Sequence, residues 1–154
     1  MSPSPEDLCP CGGAKPYGEC CRPLHEGRPA PGAEALMRAR FAAFRLGLCA
    51  YWWATLGSRH VLVRRGREAA IAAYERARHT VTYRELLVID QRATRDGAEV
   101  LVKVRAAGDR GDASFVELAQ CTREDGQWRY AGGITRPARA LPRIPSFADV
   151  MPAE

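Results

Sequence analysis

Apolar residues follow two different periods along this chain, and the change between them lies near residue 80. From residue 33 to residue 48 they recur every three or four positions, which is the spacing of one side of an α-helix. The stripe consists of Leu36, Met37, Phe41, Phe44 and Leu48. Glu34 in the first turn suits the helix dipole, so the pattern predicts a first helix over residues 33–48. Further helical segments are predicted over residues 49–56, which are aromatic, and over residues 67–78.

After Thr80 the apolar residues alternate with polar ones, which is the period of a β-strand with one buried face. Four such segments follow one another: residues 80–93, 99–106, 113–123 and 127–134. Asp96-Gly97 and Asp125-Gly126 are predicted hairpin turns, because both dipeptides tolerate a positive φ. Helices followed by strands predict an α+β domain over residues 31–136, with the helices on one face of a curved antiparallel sheet. The prolines that follow predict an extended tail over residues 137–154.

One charged residue interrupts the apolar stripe of the first helix. Arg40 lies four residues after Leu36 and four before Phe44. An unpaired buried charge is costly, and a guanidinium cannot lose its proton in a protein. We therefore expect Arg40 to contact backbone carbonyls and a carboxylate, and Glu117 is the candidate because it shares a strand face with Phe115. The alternative is that only the aliphatic stem of Arg40 is buried and its charge reaches the rim.

Residues 1–30 show no apolar period and hold four cysteines close together, in "CPCGGAKPYGECC". The four are Cys9, Cys11, Cys20 and Cys21. Zinc binds four thiolates tetrahedrally, and such a site is structural because no coordination position stays open. A redox-active dithiol is the alternative. His25 could replace Cys21 as a ligand, although an exposed histidine is the simpler interpretation, and Cys49 and Cys121 are expected to be small buried residues.

The composition is that of an ordinary globular protein. The chain has 154 residues, of which 46% are hydrophobic, so we expect one domain with a short appendage. No apolar run reaches about 18 residues, so no membrane span is expected. The acidic, proline-rich start differs from a signal peptide, which makes the cytoplasm the expected compartment. The formal net charge is +5, but arginines and acids are interspersed, which does not favour a nucleic-acid groove.

The cysteine segment resembles the SEC-C zinc motif, C-P-C-G-S-G-K-x-[YF]-x-x-C-[CH], with Ala14 in place of its second glycine. The segments "RPLHEG", "AEALMRARFAAF" and "EDGQWRYAGG" extend this into a resemblance to the YchJ family, over residues 9 to about 136. The resemblance implies a nuclear transport factor 2-like cone, three helices around a bent antiparallel sheet, with an N-terminal zinc knuckle. It also implies a glutamate on the third strand, at the position that Glu117 occupies in this chain. Family members often have W-H-P-S where this chain has Leu56-Gly57-Ser58-Arg59.

Three functions are compatible with these features. The resemblance favours a binding module that docks a protein partner through its zinc knuckle. The alternatives are a small-molecule enzyme, with Glu117, Glu85 or Asp90 in the cone, and association with nucleic acid or the ribosome. The pocket candidates are Arg40, Glu117, Tyr51, Trp52 and Trp128. An open, polar-lined cone would support an enzyme, whereas a cone filled by Phe41, Phe44, Trp52 and Trp128 would support a binding module.

Overall fold

The computed structural model describes residues 3–151. The helices in this range are α1 (Arg22–His25), α2 (Ala33–Leu46), α3 (Cys49–Ala54), α4 (Val61–Arg65), α5 (Arg67–Thr80) and α6 (Phe147–Val150). The strands are β1 (Val81–Ala93), β2 (Gly97–Gly108), β3 (Gly111–Asp112), β4 (Phe115–Glu124) and β5 (Gln127–Pro137). Short 3-10 turns cover Tyr17–Glu19 and Ala138–Ala140. Helices α1 to α5 therefore precede the sheet, as the α+β prediction requires, and the short α6 follows it. No helix of the described residues is long and apolar enough to cross a membrane.

Helix α2 is the central helix of the fold. Four residues of its predicted stripe are buried, namely Leu36, Met37, Phe41 and Phe44, whereas Leu48 lies beyond the helix and is half-buried. Small residues such as Ala39 and Ala42 let neighbouring elements approach the helix closely. The helix ends at Leu46 rather than at residue 48, because Gly47 adopts a left-handed conformation with φ 77°. Helix α2 contacts β1, β2 and β5, which places it across one face of the sheet.

Strands β1, β2, β4 and β5 form an antiparallel sheet in that order, with β3 beside β2. Asp125 (φ 52°) and Gly126 (φ 77°) form the turn between β4 and β5, as predicted. Asp96-Gly97 also joins adjacent strands, but φ of Gly97 is not positive. A Cβ at Gly97 would clash with the Cys121 carbonyl oxygen, so glycine is needed there for a close strand approach rather than for its backbone freedom.

Two cores lie on opposite faces of the sheet. On the α2 face, Leu36, Met37 and Phe41 pack against Val100 and Val102 of β2. On the other face, the chain after β5 folds back, and Val150 is fully buried beside Leu101, Val116 and Leu118. This residue belongs to the tail that was predicted to be extended.

The predicted extended tail therefore contains a short helix, α6, that closes the second core. Ser146 and Asp149 form a capping box at its start. The Arg136 Nε donates a hydrogen bond of 3.1 Å to the Val150 carbonyl oxygen, which fastens α6 to β5. The prolines between β5 and α6 break regular structure, as expected. The apolar residues of this segment nevertheless pack against the second core of the sheet.

The cysteine knuckle, which we define as residues 8–25, packs directly on α2. Cys9, Cys11 and Cys21 form a small buried cluster with Ala39 and Ala42 of that helix. The Arg45 Nη1 adds a hydrogen bond of 2.9 Å to the Pro10 carbonyl oxygen. The knuckle thus shares a packed contact with the cone domain.

Candidate metal centre and cone cavity

The four predicted cysteines converge, with all four sulfur atoms within 4.8 Å of one another. The Sγ atoms of Cys11 and Cys20 are 3.6 Å apart, and those of Cys20 and Cys21 are 3.9 Å apart. Sulfurs at about 2.3 Å from one tetrahedral zinc ion lie about 3.8 Å from each other. The observed spacing therefore fits a zinc ion, and it is far too long for disulfide bonds of about 2 Å. All six cysteines of the chain are free thiols.

Backbone turns in the knuckle bring the two cysteine pairs together. Gly12 has a left-handed φ of 83°, and its N–H donates to the Cys9 carbonyl oxygen at 3.0 Å. The Gly13 N–H donates to the Cys11 Sγ at 3.3 Å. A Cβ at Gly13 would lie 3.2 Å from that sulfur, so both glycines are needed where the loop wraps around the cluster.

The thiols also change one another's pKa. Hydrogen bonds from Cys21 and Cys9 lower the pKa of Cys11 far below that of an ordinary thiol. The bond to Cys11 raises the pKa of Cys21, and burial beside Cys11 raises the pKa of Cys20. One thiolate is thus stabilised by protonated neighbours. A divalent metal ion would displace those protons and hold all the sulfurs as thiolates.

His25 is not part of this cluster. Its Nε2 donates to the Ala39 carbonyl oxygen at 2.8 Å, which leaves Nδ1 to accept from the Tyr17 hydroxyl at 2.8 Å. Both ring nitrogens are therefore engaged, and burial lowers the pKa of His25. The prediction of an exposed histidine is wrong, because this ring is half-buried between the knuckle and α2.

A second candidate site is the cone cavity, a space of about 350 Å³ between α2, α5 and the sheet. Its walls are mainly apolar and include Met37, Phe41, Phe44, Trp52, Tyr74, Tyr83, Leu86, Val102, Val104 and Phe115. Four further lining residues are polar: Arg40, His60, Glu117 and Tyr130. The aromatic residues thus line the cone without filling it.

Arg40 lies at the polar end of the cavity and is only 7% exposed, so its charge does not reach the rim. Its Nη1 donates to the Trp52 carbonyl oxygen and to the Thr55 Oγ1, both at 2.7 Å. The rings of Trp52 and Tyr130 flank the guanidinium, with centroids 5.3 and 4.7 Å from Cζ. Carbonyls at the end of α3 have no partner within their own helix, which explains why this position accepts from Arg40.

The predicted direct contact between Arg40 and Glu117 is not formed. No Arg40 nitrogen lies within 4.0 Å of a Glu117 oxygen. Tyr130 contacts both side chains instead, with its ring against Arg40 and its hydroxyl donating to the Glu117 Oε2. The charge of Arg40 is therefore satisfied by α3 and by aromatic rings, and the carboxyl group by a phenol.

Glu117 is a buried carboxyl group at the centre of β4. Burial raises its pKa, although the Tyr130 hydrogen bond and the Arg40 charge act in the opposite direction. Burial also raises the pKa of Tyr130, so its hydroxyl stays a donor. A Cβ at Gly133 would clash with the Glu117 carboxyl group, so the glycine on β5 makes the space that this side chain occupies.

The other predicted pocket residues lie elsewhere. Tyr51 and Trp128 line a separate depression on the outside of the cone, next to His25. Glu85 and Asp90 are exposed on β1. The exposure of Glu85 and Asp90 follows from irregularity in this strand. Register shifts in β1 after Tyr83 and after Val88 change which side chains face the cone.

Sequence reasoning missed two polar lining residues, His60 and Tyr130, and it missed Thr55, which accepts a hydrogen bond from Arg40. His60 caps the start of α4, where its Nδ1 accepts from the Leu62 N–H at 3.0 Å, and burial lowers its pKa. Its ring centroid is 5.6 Å from that of Tyr130. Tyr130 was recognisable as a strand residue on the face of Trp128, but its partner Glu117 lies on another strand.

The cone domain matches a family model described as "YchJ, middle NTF2-like domain", over residues 32–133. That range contains α2 to α5 and nearly the whole sheet, including every polar residue of the cavity end.

Two curated relatives cover most of this chain. A protein of Xanthomonas campestris pv. campestris named UPF0225 protein is 41% identical over an alignment of 135 residues, and the match covers 84% of this chain and 97% of the relative. The protein UPF0225 protein XOO0258 of Xanthomonas oryzae pv. oryzae is 37% identical over 130 residues, 82% of this chain and 93% of that protein.

Two solved structures are also similar. The solution structure of RPA3114, a SEC-C motif containing protein from Rhodopseudomonas palustris, has a TM-score of 0.69 and 26% identity, over 82% of this chain and 97% of the other. A crystal structure of a SEC-C motif containing protein from Psychrobacter arcticus has a TM-score of 0.59 at 20% identity, over 83% and 82% of the two chains. The second likeness concerns the fold alone.

Proposed function

The chain belongs to the YchJ family, and we propose that it binds one structural zinc ion through Cys9, Cys11, Cys20 and Cys21. The observation that carries this proposal is the spacing of the four sulfurs, which is that of a tetrahedral thiolate site. The metal would supply the folding energy that residues 8–25 lack. A reducing compartment keeps free thiols available as ligands, which fits the expected cytoplasmic location.

The proposed zinc ion is structural because four protein thiolates fill its coordination sphere. Three of the four cysteines are buried, and the fourth, Cys20, is half-buried. The knuckle would then act as a clamp that holds the N-terminal segment on α2. Neither substrate nor water would reach the metal.

The metal content of the purified, reduced protein tests this proposal. We expect one zinc ion per chain in the wild type and none in the double variant Cys20→Ser/Cys21→Ser. Cys49→Ser is the matched control, because Cys49 lies outside the cluster, and it should keep one zinc ion. A wild type without metal, or one with a disulfide inside the cluster, would contradict the proposal.

We further propose that the zinc-bound knuckle presents a binding surface to a protein partner. A groove of about 820 Å³ lies between the knuckle and the start of α2, and Gly13, Cys20 and Ala33 are among its lining residues. One wall of this groove consists of the knuckle, so its shape would depend on the metal. Binding to nucleic acid is less favoured, because acidic Glu19 and Glu34 share the groove with its basic residues.

The partner hypothesis is tested by capture from cell extract with immobilised protein. A partner of this surface is expected to bind the wild type and Cys49→Ser equally, and to be lost with Cys20→Ser/Cys21→Ser. Substitution of Ala14, an exposed residue of the groove, by tryptophan should also prevent capture without removing zinc. Equal capture by all four proteins would refute a metal-dependent surface.

A further inference from the structure

The cone cavity has the size and the polarity of a small-molecule site, and nothing in the proposed role of the knuckle uses it. Its volume of about 350 Å³ falls at the lower end of the range for ligand pockets, about 300–1,000 Å³. Its apolar walls include Phe41, Phe44 and Tyr83, and the Tyr83 ring stacks against both phenylalanine rings. Half-buried Leu62 and Ala77 also line it, so the cavity reaches the surface beside α4 and α5.

The polar end of the cavity holds more hydrogen-bonding capacity than the protein itself uses. In the side chains of Arg40 and Glu117, only the Nη1 and the Oε2 atoms have hydrogen-bond partners among the described residues. Arg40 has three further N–H groups on its other nitrogens, and the second Glu117 oxygen can also form hydrogen bonds. Among the described residues, Thr122 Oγ1 is the one buried side-chain polar atom without a partner. The free groups of Arg40 and Glu117 therefore border open space.

Arg40 and Glu117 border the same cavity without contacting each other, so a ligand atom between them could bond to both. Arg40 and Glu117 approach the same tyrosine but remain more than 4.0 Å apart. A single oxygen that forms hydrogen bonds of about 2.7–3.0 Å on two sides spans about 5–6 Å. A hydroxyl group can accept from the guanidinium and donate to the carboxylate at the same time.

We propose that the cone cavity binds a small uncharged molecule with a planar apolar body and a hydroxyl group that bridges Arg40 and Glu117. The apolar body would lie between the aromatic walls. A carboxylate ligand suits the site less well, because the Glu117 carboxyl would have to stay protonated beside it. A cationic ligand would be opposed by Arg40, which is buried with its charge.

Matched bicyclic probes test the proposal on the full-length, zinc-loaded protein. 2-Naphthol carries the hydroxyl group, 2-methylnaphthalene lacks it, and 2-naphthoate replaces it with a charge. Binding is measured by isothermal titration and by intrinsic tryptophan fluorescence, to which Trp52 in the cavity wall contributes. We expect 2-naphthol to bind at least tenfold more tightly than either analogue, a difference of about 1.4 kcal/mol.

Two variants on one helix locate the bound probe. Ala73 lines the cavity, whereas its neighbour Ala72 is exposed. Ala73→Phe should abolish 2-naphthol binding, and Ala72→Phe should leave it unchanged. Glu117→Gln should reduce the preference for 2-naphthol over 2-methylnaphthalene to less than threefold.

Several results would overturn the proposal. They are no saturable binding of 2-naphthol, binding that survives Ala73→Phe, equal binding of 2-methylnaphthalene, or tighter binding of 2-naphthoate. If Ala73→Phe does not fold, the same location is tested by shifts of the Trp52 indole resonance when 2-naphthol is added to Ala72→Phe. An unshifted resonance at saturation would equally refute binding in the cone.

Discussion

Arg40 shows how one buried charge is accommodated without a carboxylate at contact distance. Its guanidinium bonds to two oxygens at the end of α3 and lies between two aromatic rings. The apolar stripe of the first helix predicted that Arg40 would be buried, because 3.6-residue spacing fixes the face on which it lies. It did not predict the partners, since the end of α3 is positioned by tertiary packing.

Removal of the Thr55 hydroxyl tests this account of Arg40. Thr55→Val keeps the shape of the side chain but removes an acceptor from a buried charge, so we expect a loss of about 1.5–3 kcal/mol in the free energy of unfolding. Thr122→Val is the matched control, because the Thr122 hydroxyl has no partner to lose, and it should be neutral or stabilising. Urea denaturation of both variants measures the difference, and equal losses would refute the assigned role.

Glu117 gives a pH-dependent prediction at the same scale. Its pKa is raised in the folded state, so its contribution to stability is fully present below the unfolded pKa of about 4.3. That contribution is lost as the pH rises through the higher folded value. We therefore expect wild-type stability to fall relative to Glu117→Gln as the pH rises from about 4 through the raised folded pKa of Glu117. Both proteins contain the same knuckle, so its pH dependence cancels when their free energies of unfolding are subtracted. Parallel stability curves would contradict the raised pKa.

At the scale of elements, His25 is one of the contacts that attach the knuckle to α2. The ring joins the Tyr17 hydroxyl of the knuckle to the Ala39 carbonyl oxygen of the helix, and it packs edge-on against Tyr51 of α3. One tautomer satisfies both hydrogen bonds. The contact of His25 with α2 could not be predicted from the sequence, because the turn that orients the ring forms only in the folded knuckle.

His25→Phe should loosen the knuckle while it keeps the packing of an aromatic ring. Two hydrogen bonds are lost and the Ala39 carbonyl is left without its partner, so we expect zinc release to a chelator to be several-fold faster. His79→Phe is the control, because the His79 side chain is 81% exposed on α5. Equal rates of release in the two variants and the wild type would show that His25 does not hold the knuckle.

At the scale of the whole molecule, the order of elements and the convergence of the cysteines were predictable from local patterns. Apolar periods gave the helices and strands, and dense cysteine spacing gave the cluster. The cone cavity was not predictable, because its polar end combines Arg40 of α2, Glu117 of β4 and Tyr130 of β5, which only the tertiary fold brings together. Register shifts in β1 likewise exclude Glu85 and Asp90 from it.

The folded tail is a second feature that only the whole molecule explains. Val150 has no exposed surface and closes the core on the far face of the sheet. Val150→Ala should therefore cost roughly 1–2 kcal/mol, whereas neighbouring Met151→Ala, at a position 43% exposed, should cost less than about 0.5 kcal/mol. Thermal unfolding of both variants provides the comparison, and equal midpoints would mean that α6 contributes no core.

The most direct test of the account is X-ray absorption at the zinc edge of the purified, reduced protein. If Cys9, Cys11, Cys20 and Cys21 hold the metal, the spectrum will show four sulfur neighbours at about 2.3 Å and no lighter ligand. A zinc ion with a nitrogen or oxygen neighbour would contradict the four-cysteine site, and a protein without zinc would contradict the structural role of the metal.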